Sequence, residues 1–279
     1  MKRYIHIFLF CASLIFTGTV FALLPLSVQA ETPPAATTKK IDVATAVDMA
    51  GRQRMLSQRM VKAYLMLGQN IAPDDAQTIL QESIHLFESQ LTALKTLQPN
   101  QNVQTAIANL DAEWKKFKPL ITTTPDKQAA ATLYEANETL QKVAHTVTLA
   151  YDNVTIAPRV HLVNLAGRQR MLTQRTAKFF LYRTWGLYSE AADMEMTLSR
   201  AHFTTVLLQL QESPYASAQI KELAVQIQRD WEPYQQALLA SREPATMRDN
   251  AQRVAELSEQ LLSSTEKLVA LVVEQAQQQ

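Results

Sequence analysis

The chain has 279 residues, 47% hydrophobic and 19% charged, which is enough apolar material for a sizeable core and excludes intrinsic disorder. Its formal net charge is +1, so charge gives no reason to expect nucleic acid or an anionic membrane surface as a partner. Glycine is scarce at five residues, and abundant Ala, Leu, Gln, Glu and Lys favour helix, because these side chains lose little freedom there.

The first thirty residues have the order of a targeting segment. Met1-Lys2-Arg3 is basic, Ile5 to Leu24 is apolar, and Pro25 and Ser27 interrupt the run. Val28-Gln29-Ala30 is a small-x-small site of the kind signal peptidase accepts. Residues 1–30 are therefore expected to be a signal peptide, which would place the protein in the periplasm. The alternative is an uncleaved inner-membrane anchor over residues 5–24, since the run approaches the ~20 residues that span a bilayer. Cleavage would remove Cys11, the one cysteine, and with it any disulfide, Cys metal site or thiol nucleophile. Residues 31–40 read as a Pro/Thr/Ala linker.

Beyond the linker the sequence repeats. Ala50-Gly51-Arg52-Gln53-Arg54-Met55-Leu56 recurs unchanged as Ala166-Gly167-Arg168-Gln169-Arg170-Met171-Leu172. Gln58-Arg59, Lys62 and Leu65 recur as Gln174-Arg175, Lys178 and Leu181, and more faintly His85 answers to His202, Gly68 to Gly186 and Trp114 to Trp231. The period is too long for a solenoid unit, so two whole domains are expected, at 41–155 and 156–279. Four helical stretches are predicted in the first, at 41–67, 74–97, 101–121 and 126–151. Four follow in the second, at 160–185, 189–211, 215–240 and 245–275. Gly68 is expected as a left-handed C-cap. Pro73, Pro125, Pro214 and Pro244 mark breaks, whereas Pro119 and Pro233 fall late in the third helices, where they would kink or end them. The fold class that follows is all-α: two tandem four-helix up-down bundles after an N-terminal signal segment.

On a helical wheel Val47, Ala50, Gly51, Ser57, Gln58, Val61 and Leu65 lie within about 60° of Arg54. Met49, Leu56, Met60, Ala63 and Leu67 form a second apolar stripe. One stripe can fill the helix's own bundle; the other, carrying Arg54, needs a partner helix. Val163, Ala166, Gly167, Thr173, Gln174, Ala177 and Leu181 repeat the pattern around Arg170. No Asp or Glu lies three or four residues from either arginine. A desolvated guanidinium costs several kcal/mol unless it is paired. If two such helices pack together, an anion between the arginines would turn repulsion into attraction, and a planar oxyanion matches the guanidinium plane. Arg54 and Arg170 are thus the first candidates for ligand binding, with Gly51, Gly167, Ser57, Thr173, Gln58 and Gln174 lining the site. Arg52, Arg59, Arg168 and Arg175 are secondary basic residues that read as a solvated face or a salt-bridge network. His85, His202, Trp114 and Trp231 read as structural. No ligand spacing specifies a metal, and no cofactor or catalytic motif is present.

At this point the chain resembles a known family. Ala-Gly-Arg-Gln-Arg-Met-Leu-Ser-Gln-Arg, followed by Lys62 and Tyr64-Leu65, is similar to the first-helix signature of PilJ-type, NarX-like sensor domains of chemotaxis transducers and nitrate-sensing kinases. The resemblance implies a dimer whose first helices meet and hold a nitrate-like anion between two arginines, which fall on Arg54 and Arg170. It implies no enzyme. The second membrane span and signalling module of the transducers are not found here, so signalling would run through a separate chemoreceptor or sensor kinase. The expected function is an exported sensor-like binding protein for a small oxyanion; the alternative is a ligand-free helical interaction module. Two arrangements stay open: an Arg54–Arg170 pair inside one chain, or end-to-end domains that pair between chains as a homodimer.

The leader pattern makes a direct prediction. The intact mass of the protein isolated from its host should correspond to a chain beginning at Glu31; a mass that includes Met1 would establish the anchor instead.

Overall fold

The computed structural model describes residues 41–278; the leader and linker read from the sequence, residues 1–40, lie outside that range. The described residues form helices and no strands, in the order α1 (Val43–Gly68), α2 (Pro73–Leu94), α3 (Gln101–Ile121), α4 (Lys127–Asp152), α5 (Pro158–Thr184), α6 (Ser189–Glu212), α7 (Ala218–Leu239), α8 (Pro244–Asp249) and α9 (Ala251–Gln277).

Local chemistry sets most boundaries. Asp42, Asn100, Asp126 and Ser217 each accept a hydrogen bond from a first-turn N–H, which satisfies donors that a helix start leaves unpaired. Pro73 and Pro158 open their helices, where the missing N–H costs nothing. Pro119 and Pro233 lie inside α3 and α7 and end neither at the proline. The predicted helix 245–275 is two helices, because the chain turns at Asn250, which ends α8 and begins α9.

Gly68 is not a left-handed cap. It is the last residue of α1, and the left-handed residue that follows is Asn70, at φ +56°. Gly186, at φ +67°, takes the equivalent place after α5. Asn tolerates this conformation better than most side chains. Gly68 is needed for a different reason: a Cβ there would lie 2.1 Å from the Trp185 ring.

The two motif helices, α1 and α5, pack side by side along their lengths. They are parallel, because Gly51 lies by Arg170 near one end, while Gln69 donates to the Leu181 carbonyl and accepts from Thr184 at the other. Around α1 lie α2 and α4, with α3 on α4; around α5 lie α6 and α9, with α7 against both. The chain breaks at residues 153–157 between α4 and α5 rather than running on as one helix. Each repeat carries the same aromatic stack, Phe87 on Trp114 at 4.2 Å and Phe203 on Trp231 at 4.1 Å. The register of these stacks sets Leu86, not His85, opposite His202.

Trp231 is 2% exposed and also touches Tyr234 at 5.2 Å between centroids. Trp231→Ala should cost about 3–5 kcal/mol, the usual result of emptying an aromatic site in a packed core. Urea denaturation would show it as a lower midpoint with an unchanged slope.

Candidate functional site at the seam of the motif helices

Arg54 and Arg170 are both fully buried. Helical side chains lean toward the N-terminus, so each guanidinium reaches back over the glycine three residues before it. A Cβ placed on Gly51 would lie 3.3 Å from Arg54 Nη2 and 3.8 Å from Arg170 Nη2. One on Gly167 would lie 3.3 Å from Arg170 Nη2 and 3.9 Å from Arg54 Nη2. The two heads thus converge on a glycine-floored seam inside a single chain. Two unit charges ~8 Å apart repel by about 2 kcal/mol at an effective dielectric of ~20.

The same lean displaces part of the expected lining. Ser57 and Thr173 sit one turn toward the C-terminus and donate to the carbonyls of Arg54 and Arg170, each at 2.8 Å. Gln58 donates to Ser57 Oγ and Gln174 to the Ser258 carbonyl. All four are buried, but their hydrogen bonds run to backbone or to one another and not to the guanidinium heads.

The surroundings of the two heads differ. Arg170 donates to the Asp48 carboxylate at 2.6 Å and to Glu266 at 3.0 Å. Arg52 joins the same pair, 2.7 Å from Glu266 and 3.5 Å from Asp48. Across the seam Asn164 stands where Asp48 does, and His145 on α4 takes the place of Glu266 on α9. Arg54 donates to the Asn164 amide oxygen at 3.0 Å and to His145 Nδ1 at 3.2 Å. Arg168, the counterpart of Arg52, has no carboxylate partner among the described residues. Arg170 and Arg52 therefore meet two carboxylates, whereas Arg54 meets an amide and an imidazole. Asp152 lies behind Asn164, held by its Nδ2 at 2.8 Å and by His161 at 2.6 Å.

Titration follows this asymmetry. Burial disfavours the Arg170 charge, but Asp48 and Glu266 outweigh it and raise the pKa above the ordinary value. Burial, then Arg168 and Arg170, bring Arg54 down to about 9, against the pull of Asp152. Arg54 is still cationic at neutral pH. Burial, Arg54 and Arg168 hold His145 at about 4, so it is neutral there and its Nδ1 accepts from Arg54. A space of about 310 Å³ opens beside this cluster, lined among others by Arg54, Arg168, His145, His202, Met171 and Leu198.

The remaining motif cations form a salt-bridge network between repeats. Arg59 and Lys62 of α1 bind Glu259 of α9. Arg175 and Lys178 of α5 bind Glu138 of α4, and Arg175 also binds Glu195. Lys62 and Lys178 are completely buried. Sequence reasoning missed Asp48, Glu266, His145 and Asn164. The Asp48–Asn164 difference could be found by aligning the repeats on the motif, but Glu266 and His145 correspond only at a different offset. Among the described residues no His, Cys, Asp and Glu group is placed to hold a metal, and no helix is long and apolar enough to cross a membrane.

A family model described as "Type IV pili methyl-accepting chemotaxis transducer N-term", PilJ, matches residues 36–139 and again 160–276. The chain belongs to this family and carries two tandem copies of its domain, a sensing module related to chemotaxis transducers. No curated protein and no solved structure matches the chain.

The network predicts a pH dependence. Burial opposes ionisation of Glu259 and Glu138, but Lys62 with Arg59, and Lys178 with Arg175, hold both carboxyls at about 2. These values lie below the ordinary carboxylate range, so the stability they contribute is complete above about pH 4.5 and is lost as the pH falls toward 2. Urea midpoints should fall between about pH 4.5 and 3. Glu138→Gln with Glu259→Gln should start lower at pH 7 and change less over that interval.

Proposed function

We propose that this chain is an exported sensor module that holds one small anion at the Arg54 side of the seam and reports its occupancy to a separate membrane receptor or sensor kinase. Export rests on the leader pattern. Anion binding rests on one observation: buried Arg54 meets Asn164 and a neutral His145, with half-buried Arg168 lining the same space, where the other side of the seam has Asp48 and Glu266. An anion ~4 Å from the Arg54 head would gain about 4 kcal/mol at an effective dielectric of ~20, which exceeds the repulsion between the two arginines. A planar oxyanion such as nitrate or a carboxylate suits the guanidinium plane. The ligand-free interaction reading is favoured only at Arg170, where Asp48 and Glu266 already occupy the positions an anion would take.

Calorimetry should give one anion per chain, and Arg54→Ala should abolish it. At 100-fold above Kd the ligand would stabilise the protein by about 2.7 kcal/mol, a visible thermal shift. Asp48→Asn with Glu266→Gln should open a second site at Arg170. Unchanged anion affinity in Arg54→Ala would sink the proposal.

A further inference from the structure

We infer that the ligand of the Arg54 site is a short-chain organic carboxylate rather than a bare inorganic oxyanion. The inference rests on the proposed function and adds the ligand's body to its charge. The space beside Arg54 is about 310 Å³, within the range of small-molecule pockets and much larger than a three- or four-atom ion needs. Its chemistry is divided. Arg54 and Arg168 supply a cationic end, with His145 and His202 beside them. Met171 and Leu172 of α5 and Leu198 of α6 supply an apolar wall.

Leu198 is 45% exposed, a large apolar side chain left open beside a buried charge. At its counterpart in the first repeat stands Glu82, which lies 3.9 Å from Arg59. Three differences from the Arg170 side therefore gather near this space: Asn164 in place of Asp48, His145 of the first repeat in place of Glu266 of the second, and Leu198 in place of Glu82. The one carboxylate in the lining, Glu195, is held by Arg175 at 2.8 Å and does not compete for Arg54. A guanidinium takes a carboxylate through two parallel hydrogen bonds, and the apolar wall takes an alkyl chain that nitrate lacks.

The test is calorimetry on protein purified after expression from its full-length gene, with nitrate, acetate, butyrate and hexanoate as probes. Affinity should rise about two- to four-fold for each methylene from acetate to hexanoate. Leu198→Ser should reduce the hexanoate-to-acetate ratio, while Leu208→Ser, at another exposed leucine of α6 outside the pocket, should keep it. If nitrate and acetate bind as tightly as hexanoate and Leu198→Ser changes nothing, this inference is overturned and the anion site stands. If none of the four binds, both fall together. Arg168→Gln, half-buried and without a carboxylate partner to strand, should weaken all four probes if the basic end holds the head group, and equal binding would contradict that placement.

Discussion

A cation removed from water has to be met by an acceptor or an opposing charge, and the motif helices bury four of them. Arg54, Lys62, Arg170 and Lys178 have no exposed surface. Their own helices supply no carboxylate to Lys62 and Lys178, so each is answered from across the molecule. Lys62 of the first repeat is met by Glu259 of the second, and Lys178 of the second by Glu138 of the first. Stranding one member of such a pair typically costs 3–5 kcal/mol. A slip of α1 along α5 by one turn would break several pairs at once, so the ion pairs fix the register of the seam. The glycines give the two guanidinium heads room at one level, where a Cβ on either would come within 3.3 Å of the nearer head.

Fusion of the two copies in one chain has a consequence for binding. In a symmetric homodimer both halves of the interface carry the same residues, and a change in one is a change in both. Here the copies are free to differ. Asp48 and Asn164 occupy equivalent places, as do Glu266 and His145, and the differences move the counter-charges to one side. Arg170 becomes a structural ion pair. Arg54 keeps its charge but lacks a counter-ion in direct contact, beside a space that opens to solvent. Asymmetry of this kind leaves one buried guanidinium without a contacting carboxylate, the condition on which the proposed anion site rests.

Much of this was legible in the chain itself. Seven consecutive identities marked the duplication, and helical periodicity with Pro73, Pro125, Pro214 and Pro244 placed nearly every helix end within a few residues. The wheel around Arg54 separated a stripe for the helix's own bundle from a stripe that needed a partner. Periodicity and capping act over four residues or fewer, so a linear sequence records them directly. Position 70 shows the limit: the sequence pointed to Gly68 as the left-handed residue, but that glycine is small for Trp185, a contact from the other repeat.

Which side chains meet across helices was decided by the tertiary structure. The motif repeats at an offset of 116 residues, but α4 and α9 correspond at a different offset, because α8 lies between α7 and α9 and has no counterpart between α3 and α4. His145 and Glu266 therefore cannot be matched by reading along the chain, although they decide the charge at Arg54 and Arg170. The sequence determined that two buried arginines would need partners. Only the packing of α4, α5 and α9 around α1 decided that one would receive carboxylates and the other would not, since the partners lie 91 to 122 residues away and are brought within 3.2 Å by the fold.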